Sequence, residues 1–459
     1  MLKFLKWLVA AIVAAIVAGA IYLYVAPPDL IRVATAYSAK IVCSNIFIAG
    51  RDGDEVLAVD VQAAGHPILK FISIDVDRDR QTVAADLLGL FGRGLAVHHE
   101  GAGCATVPDG DLDAAALPPV ADGGEANGNA TWPAGEQVSA SQDPDIAAIL
   151  DNPEMTGPGL RAIVVVHNGR IVGERYGEGF TAQTPLLGWS MTKTVTAAII
   201  GTLVADGRVT VDDTGLFEAW STDERDEIAL ANLMAMNSGL EFNEDYGDVT
   251  DVTRMLYLQP DMAGFAIDKP LTAQPGELFN YSSGTSVILS RAWQDLFADA
   301  EAALAWPRQA LFGPLGMTSA VLEADARGTY VGSSYLYATA HDWARFGQLL
   351  LNGGVWNGTR ILPEGFVEWM QTEDPASKGA YGRGNVWLHG PRGGTPEGQE
   401  SDAGFDLPED AFWLLGHDGQ TVTVVPSLRL VVVRLGLTPS KMNYKPQKMI
   451  EALSATLRN

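Results

Sequence analysis

The hydrophobic and polar positions divide the chain into regions with different patterns, and the first region is a continuous apolar run. Residues 7–25 carry no charge and follow Lys3 and Lys6. An apolar run of this length can cross a bilayer as one helix, and the lysines favour a cytoplasmic N-terminus. We therefore predict a membrane anchor over residues 1–28. Small residues at positions 18–20 also match a signal-peptide cleavage site, so secretion after cleavage is the alternative.

Residues 29–107 follow with a period-two alternation that is typical of paired strands. Ile72, Ile74 and Val76 alternate with polar residues, and a charged turn leads into a second apolar run over residues 82–90. This pattern predicts a β-hairpin within a small N-terminal α/β domain.

The only two cysteines, Cys43 and Cys104, bracket most of this domain. In an oxidising compartment we expect a disulfide that closes a loop of about 60 residues and contributes about 4 kcal/mol on the entropic account. Two buried free thiols are the alternative. Residues 108–142 are acidic and rich in Gly, Ala and Pro, which is typical of a linker. Trp132-Pro133 is unusual in a free tether and is a candidate for docking on the next domain.

Residues 143–459 begin and end with strand patterns and carry helical patterns between them. Asn168-Gly169 separates two apolar runs, which is a strong signal for a type I′ hairpin turn. A second hairpin pattern occupies residues 412–435, and a closing helix is predicted over residues 441–457. These patterns predict strands at both ends of the region and helices between them.

Composition narrows the range of functions. The chain has 459 residues, of which 47% are hydrophobic, so more than one domain with a large core can form. A formal net charge of −25 argues against nucleic acid as a partner, because phosphates would repel this chain. His98-His99 are adjacent, which suits one metal ion poorly, so we expect neither a metal nor a cofactor.

A short motif at the start of a buried helical pattern carries candidate chemistry. Ser190 and Lys193 precede an Ala- and Ile-rich run over residues 194–203, and residues three apart share a helix face. A helix N-terminus offers free N–H groups to an oxyanion, and its partial positive charge disfavours a charged amine. We interpret Ser190 as a nucleophile and Lys193 as the group that handles its proton. An N-cap serine beside a surface lysine is the alternative.

Tyr281 provides a second element, in a polar loop before a helical pattern over residues 287–297. A phenol at this point, held by Lys193, can act as a base and then return a proton to a leaving group. A half-buried packing tyrosine is the alternative.

The third element is His417-Asp418-Gly419, which interrupts a strand pattern. Glycine inside a strand indicates close approach of a ligand or of another backbone. We expect the amides of Gln420 and Ser190 to form an oxyanion hole and His417 to orient Tyr281 or the substrate. A loop imidazole that bonds to a neighbour is the alternative.

Taken together, these motifs resemble the serine β-lactamase and penicillin-binding-protein superfamily, in its class C and esterase branch. The acidic loop at residues 241–248 looks most like that of the 6-aminohexanoate-oligomer hydrolases and related carboxylesterases. The resemblance implies an α+β fold of the β-lactamase/transpeptidase type, with an antiparallel sheet covered by helices beside an all-α lobe. Further segments that resemble family motifs are Leu233–Leu240, Phe312–Met317, Tyr337–Phe346, Asn352–Gly354 and Ile361–Pro363.

Two departures from the family pattern change the expected substrate. Ser283 stands where β-lactam-handling members usually carry Asn, and His417 stands where they usually carry Lys. A neutral imidazole is a weaker partner than a fixed cation for the carboxylate of a β-lactam. The departures therefore favour esterase or amidase chemistry. We expect Tyr246, Ser283 and Gly419 to contact the substrate.

The sequence thus predicts a membrane-anchored serine hydrolase that cleaves a small ester, amide or peptide through an acyl-enzyme on Ser190. The anchor would lie in the inner membrane, with the catalytic domain facing the periplasm. A DD-peptidase or β-lactamase is one alternative. A non-catalytic module that binds cell wall or peptide is another.

Overall fold

The computed structural model describes residues 2–121, 123–124, 128–138 and 143–458. The chain forms two compact units, and each unit combines segments that are distant in sequence. The first unit consists of Met1–His99, Cys104–Ala116 and Asp245–Pro260, and the second of Glu100–Gly103, Leu117–Glu244 and Asp261–Asn459.

The helices and strands of the described residues are numbered in chain order. The α-helices are α1 (Leu2–Val25), α2 (Asp29–Phe47), α3 (Gly53–Val56), α4 (Pro144–Leu150), α5 (Pro153–Thr156), α6 (Thr192–Ala205), α7 (Leu230–Met234), α8 (Asp251–Leu258), α9 (Met262–Ile267), α10 (Ser283–Gln294), α11 (Ala300–Pro307), α12 (Gly313–Leu315), α13 (Ala340–Leu351), α14 (Phe366–Gln371) and α15 (Gln447–Leu457). The strands are β1 (Ile72–Asp77), β2 (Thr82–Leu87), β3 (Phe91–His99), β4 (Gly103–Thr106), β5 (Leu160–His167), β6 (Arg170–Tyr176), β7 (Leu186–Leu187), β8 (Val321–Leu322), β9 (Leu336–Ala338), β10 (Val355–Trp356), β11 (Thr359–Arg360), β12 (Phe412–Gly416), β13 (Gln420–Val425) and β14 (Leu430–Gly436).

Helix α1 contains 24 residues, so it is about 36 Å long and can cross a bilayer. Its apolar side chains are exposed, as in a membrane span or a signal sequence. In the rest of the first unit, the sheet has the order β1-β2-β3-β4. Helix α2 packs against β2 and β3. The contact is close because a Cβ on Gly94 would lie 2.4 Å from the backbone nitrogen of Ala36.

Two further links complete the first unit. Cys43 in α2 and Cys104 in β4 form a disulfide with their Cα atoms 6.2 Å apart. Helix α8 also belongs here, although the predicted boundaries placed it in the C-terminal domain. Its Tyr257 ring packs edge-on against Tyr37 of α2 at 5.6 Å between centroids. Hydrophobic packing in space, which sequence position does not report, assigns this helix to its unit.

The second unit is built around a five-stranded antiparallel sheet with the order β12-β13-β14-β5-β6. The pairing of β14 with β5 joins the two predicted hairpins into one sheet. The turn between β5 and β6 has φ values of 52° at Asn168 and 73° at Gly169, as the predicted type I′ turn requires.

Helices cover both faces of this sheet. Val432 of β14 packs in a core cluster with residues of α4 and α15. Its neighbour Val431 faces the other way, where a Cβ on Gly347 of α13 would lie 2.5 Å from it. A helical lobe forms around α10, which contacts α6, α7, α9 and α11. The predicted α+β architecture with an antiparallel sheet and helices is confirmed.

The ends of two elements differ from the sequence prediction. The closing helix α15 begins at Gln447 rather than at residue 441, because Pro446 stands at its N-cap and Asn443 has a φ of 54°. Part of the predicted linker is docked on the second unit. Trp132 is buried, and its Nε1 donates to the carbonyl oxygen of His341, 3.4 Å away. Arg345 donates to the carbonyl oxygen of Pro133. The docking expected for Trp132-Pro133 is therefore present, within a segment whose acidic composition is otherwise typical of a linker.

Candidate active site

Ser190 and Lys193 lie at the junction of a turn and a helix. Ser190 occupies a single 3₁₀ turn, Trp189–Met191, that leads directly into α6. Lys193 is in the first turn of α6, and its side chain points back toward that turn, as helical residues do. Its Nζ lies 3.3 Å from Ser190 Oγ. The lysine is 1% exposed, so its amine is buried, while Ser190 is only half-buried.

The backbone before Ser190 is held in an unusual conformation. Trp189 has a φ of 49°, in the left-handed region that is unfavourable for residues other than glycine. The end of β12 lies directly against this turn, because a Cβ on Gly416 would be 2.2 Å from the carbonyl oxygen of Gly188. The glycine in the predicted strand therefore permits close approach of another backbone next to Ser190.

Lys193 is surrounded by neutral oxygen atoms. Besides Ser190, its Nζ donates to Ser283 Oγ at 3.1 Å and to the carbonyl oxygen of Ser333 at 3.0 Å. Burial lowers the pKa of Lys193 to about 8, and the negative charge of Glu244 acts in the opposite direction. An appreciable fraction of the amine is therefore neutral near neutral pH, whereas an exposed lysine stays almost fully protonated there.

Glu244 reaches this amine through a hydroxyl group. Its Oε1 accepts from Ser283 Oγ at 2.5 Å, and its Oε2 accepts from the Ser283 backbone N–H at 2.7 Å. Ser283 is the first residue of α10, so the carboxylate lies at a helix N-terminus, where a negative charge is favoured. Lys193, Ser283 and Glu244 thus form a continuous chain of hydrogen bonds.

Tyr281 stands beside Ser190 in an aromatic environment. Its ring lies 5.9 Å from Tyr381 and 5.3 Å from Trp387, and Lys193 Nζ is 4.8 Å from its centroid. Burial raises the pKa of Tyr281 well above its usual value, although hydrogen bonds with Ser190 and Trp387 act in the opposite direction. The phenol therefore keeps its proton near neutral pH.

The turn His417–Gly419 connects β12 to β13. The His417 ring lies edge-on to Trp189 at 5.6 Å, and its Nε2 is 3.4 Å from Asp418 Oδ1. Gln420 is paired with Gly416 across the two strands. Its side chain spans the turn, since Nε2 donates to the carbonyl oxygen of His417 at 2.9 Å and Oε1 accepts from the Gly436 N–H at 2.7 Å. These bonds fix the backbone of the turn.

The sequence profile of the family described as Beta-lactamase matches residues 154–446. This span contains Ser190, Lys193, Tyr281 and the His417–Gly419 turn. The chain belongs to the beta-lactamase family. The resemblance inferred from the sequence motifs is confirmed.

Similar proteins include hydrolases of this fold. The chain is 23% identical over 310 residues to a 6-aminohexanoate-dimer hydrolase of Paenarthrobacter ureafaciens, which covers 61% of this chain and 72% of that protein. A solved structure described as a candidate 6-aminohexanoate-dimer hydrolase of Bacillus anthracis aligns with a TM-score of 0.52 and 25% identity, over 65% of this chain and 78% of that one. A penicillin-binding-protein homologue of Caulobacter crescentus shares the fold, with a TM-score of 0.50 and 14% identity over 70% and 99% of the two chains.

The remaining predicted site residues of this beta-lactamase family member lie in different surroundings. Ser283 is fully buried, and both Lys193 and Glu244 bond to it, so its position suits orienting the lysine. Its contact with a substrate stays a prediction. Gly419 has a φ of 81°, and a Cβ there would lie 2.8 Å from Arg434 Nη1, which gives this glycine a structural role. Tyr246 lies in the segment that belongs to the first unit, and its contact with a substrate stays a prediction.

Three residues of the candidate site are not indicated by the sequence motifs. Glu244 is one of several acids in the loop at residues 241–248, and Tyr381 and Trp387 belong to no motif. Trp387 is held near Tyr281 because its backbone exchanges hydrogen bonds with Trp413 of β12, at 2.9 and 2.8 Å. The motif spacing could not indicate these residues, because they come from loops that tertiary contacts position.

Proposed function

We propose that this beta-lactamase family member is a serine hydrolase that cleaves an ester or amide bond through an acyl-enzyme on Ser190. The observation that supports this most strongly is the 3.3 Å approach of the buried Lys193 amine to the Ser190 hydroxyl. A lysine without a carboxylate in direct contact is rarely buried in a folded protein, because burial of an unpaired charge is costly. An amine that can be neutral explains the arrangement.

In the proposed acylation step, neutral Lys193 accepts the proton of Ser190 while Ser190 Oγ bonds to the carbonyl carbon of the substrate. A pKa of about 8 for Lys193 supports this role, because an appreciable neutral fraction exists near neutral pH. Tyr281 then donates its hydroxyl proton to the leaving oxygen or nitrogen as that bond breaks. The raised pKa of Tyr281 keeps this proton on the phenol until the more basic leaving atom accepts it. Protonated Lys193 restores the proton to Tyr281.

In the proposed deacylation step, a water molecule attacks the ester carbon of acyl-Ser190. The water gives its proton to Lys193 and Tyr281. Ser190 Oγ recovers a proton as the acid product leaves. The negative charge of each tetrahedral intermediate would be held by the backbone N–H groups of Ser190 and Gln420. The position of Ser190 at the start of α6 and the close approach of β12 to its turn support this oxyanion hole.

Glu244 and Ser283 act in this proposal as positioning residues. The Ser283 hydroxyl fixes Lys193 Nζ, and Glu244 fixes Ser283 through two hydrogen bonds. Because Glu244 touches Ser283 rather than Lys193, its charge moderates the loss of the lysine proton without preventing it. His417, in the turn between β12 and β13, would contact the substrate or Tyr281.

Small amides and esters are the proposed substrates. The 6-aminohexanoate-dimer hydrolase that this chain resembles acts, by its name, on a small amide. Ser283 and His417 replace the Asn and Lys that are usual in β-lactam-handling members, which favours such substrates over antibiotics. The proposed reaction needs no cofactor.

We also propose export and anchoring through α1. The charge-free apolar helix after Lys3 and Lys6 supports an inner-membrane anchor with the folded units in the periplasm. The Cys43–Cys104 disulfide supports an oxidising compartment. Secretion after signal cleavage is the alternative.

Mass spectrometry of the acyl-enzyme tests the catalytic proposal. During turnover of a short p-nitrophenyl ester, we expect an adduct with the mass of the acyl group on the peptide that contains Ser190. The adduct and the turnover should both be absent in Ser190→Ala and unchanged in Ser221→Ala, an exposed serine at the end of another 3₁₀ turn. An adduct on any other residue would refute the assignment.

A chromogenic cephalosporin separates esterase or amidase activity from β-lactamase activity. We expect much slower turnover of the cephalosporin than of the ester, because His417 supplies no permanent positive charge for the β-lactam carboxylate. Comparable kcat/KM values for the two substrates would contradict this expectation and favour the β-lactamase or DD-peptidase alternative.

A further inference from the structure

Three exposed apolar side chains lie together at one end of the sheet in the first unit. Phe71, Leu88 and Leu90 are 59%, 62% and 64% exposed, more than any other large apolar side chain of the described residues outside α1. Phe71 precedes β1, and Leu88 and Leu90 form the turn between β2 and β3. The two segments adjoin, because Leu88 N–H donates to the carbonyl oxygen of Phe71 at 2.9 Å. Grouped exposure of this kind marks an interaction surface.

This apolar turn, defined as Phe71, Leu88 and Leu90, lies next to the end of α1. Strand β3 begins directly after the turn and contacts α1. A Cβ on Gly92 in that strand would lie 2.5 Å from Ile31 Cγ2 and 3.4 Å from Pro27 Cβ, both at the junction of α1 and α2. Only residues 26–28 connect the two helices. Three residues span at most about 10 Å, so this face of the unit cannot move far from the end of α1.

The same end of α1 carries the residues that mark a membrane boundary. Tyr22 and Tyr24 are exposed within the last turn of the helix. Tyrosine is enriched at the level of the lipid headgroups, where its ring is in an apolar region and its hydroxyl is in water. With α1 across a bilayer, its C-terminal end and the apolar turn beside it therefore lie at the membrane surface.

The opposite end of the sheet has the opposite character. The turn between β1 and β2 contains Arg78, Asp79 and Arg80, and all three are exposed. Strands of six residues separate the two turns, which corresponds to about 20 Å. The sheet thus carries an apolar turn next to α1 and a charged turn away from it.

We propose that the apolar turn is a membrane-docking surface, which inserts Phe71, Leu88 and Leu90 into the headgroup region of the bilayer that α1 crosses. This inference rests on the proposed membrane anchor and extends it from the helix to the folded N-terminal unit. The partner is a lipid surface, because the apolar turn is held within a few residues of the lipid-spanning helix and three side chains of this kind lose contact with water there.

Spin-label accessibility in the full-length protein tests this inference. Both native cysteines are in the disulfide, so Leu88→Cys provides a single thiol for a nitroxide label. Asp79→Cys in the charged turn is the matched control, and Ile12→Cys in the middle of α1 reports whether the anchor is inserted. The protein is reconstituted in vesicles of phosphatidylcholine and phosphatidylglycerol. Collisions with oxygen, which dissolves in lipid, are compared with collisions with a water-soluble nickel chelate.

We expect the label at position 88 to collide mainly with oxygen, as at position 12, and the label at position 79 to collide mainly with nickel. Leu90→Cys should repeat the result of Leu88→Cys, which guards against a local effect of one substitution. Nickel access at positions 88 and 90 with lipid exposure at position 12 would overturn the docking surface and leave the anchor intact. Low access to both reagents at position 88 would indicate a protein contact and also overturn it. Nickel access at position 12 would overturn the anchor together with the docking surface.

Discussion

Two buried cationic side chains in the second unit differ in how closely carboxylates approach them. His341 has Glu136 Oε2 2.8 Å from its Nδ1 and Glu174 Oε2 2.8 Å from its Nε2. Burial alone would lower the pKa of His341, but the hydrogen bonds and charges of both glutamates outweigh it and raise that pKa to about 9. Lys193 touches three neutral oxygens, and the carboxylate of Glu244 lies beyond the Ser283 hydroxyl. Its pKa is lowered to about 8.

In the proposed mechanism, this difference separates a structural cation, His341, from a reactive one, Lys193. Direct contact with two carboxylates favours the charged form of His341. This cation and Arg345 both pair with Glu136 of the docked segment. One intervening hydroxyl weakens the attraction between Lys193 and Glu244, so desolvation dominates and the lysine can lose its proton. In this account, the spacing between each buried cation and its nearest carboxylate determines whether that cation keeps its proton.

Substitution of Lys193 or of the residues proposed to act with it, Ser190 and Tyr281, should produce the largest losses of activity. Ser190→Ala should reduce ester hydrolysis by a factor on the order of 10⁶, and Lys193→Ala and Tyr281→Phe each by about 10³ or more. Because the three groups act together, Ser190→Ala combined with Lys193→Ala should be little worse than Ser190→Ala. Steady-state kinetics on a p-nitrophenyl ester measure this. Additive losses in the double variant would show that the residues act independently.

Loss of the structural cation should change stability and leave catalysis intact. His341→Ala removes the cation between Glu136 and Glu174, although Arg345 still pairs with Glu136 at 2.7 Å. We expect the free energy of unfolding to fall by about 3 kcal/mol. The matched control is His389→Ala, because His389 is partly exposed and contacts one carboxylate, Asp402, at 3.2 Å. That control should lose less than about 1 kcal/mol.

Denaturant titrations of both variants, with kcat measured on the folded fraction, check this prediction. Equal losses for the two histidines would contradict the structural role of His341. A fall in kcat for folded His341→Ala would contradict its separation from the active site.

The two cations should also respond differently to pH. Because the pKa of His341 is raised from 6.5 to about 9, its contribution to stability is complete below pH 6.5 and decreases as pH rises toward 9. Between pH 6.5 and 8 this loss should be on the order of 2 kcal/mol in the wild-type protein and absent in His341→Ala. Above pH 8, deprotonation of Lys193 in the folded state acts in the opposite direction, since its pKa is lowered.

Unfolding free energies at several pH values, compared between the wild type and His341→Ala, isolate this contribution. The difference between the two proteins should shrink as pH rises. A difference that is independent of pH would show that His341 is not charged in the folded protein.

Much of the fold was predictable because local patterns determine it. The Asn168-Gly169 turn and the strand periodicity of residues 412–435 specify hairpins, and the Ser190–Lys193 spacing specifies a shared helix face. The assignment of α8 to the first unit was not predictable, because it depends on packing against α2 from a position more than 200 residues away. The sequence indicated that Trp132-Pro133 could dock, but it could not indicate the partners in α13, which are about 200 residues away.

Within the candidate site, the sequence motifs indicated Ser190, Lys193 and Tyr281, and these residues lie together in the structure. Glu244 could not be distinguished by sequence among the 56 acidic residues of the chain. Its significance comes from two hydrogen bonds to Ser283, which is 39 residues away. Long-range contacts of this kind leave no spacing pattern.

The smallest expected effect concerns this carboxylate. Glu244→Gln removes a negative charge that raises the pKa of Lys193, so the rising limb of kcat/KM against pH should move to lower pH. We expect the pKa of Lys193 to fall by less than about one unit, because the charge acts through a hydroxyl. Activity at pH 6.5 should therefore increase by less than about tenfold. Glu241→Gln, an exposed acid in the same loop, is the matched control and should leave the profile in place. A shift to higher pH in Glu244→Gln would contradict the assigned charge interaction.

The most direct test of the central claim is the rate at which a fluorophosphonate labels the full-length protein across pH, with peptide mapping of the labelled residue. The label forms a bond to the attacking oxygen, so it reports both the identity of the nucleophile and the protonation state of its base. We predict a single adduct on Ser190 and a labelling rate that rises with pH to a plateau, with an apparent pKa of about 8 set by Lys193. An adduct on another residue, or a rate that does not change between pH 6 and 9, would contradict the account.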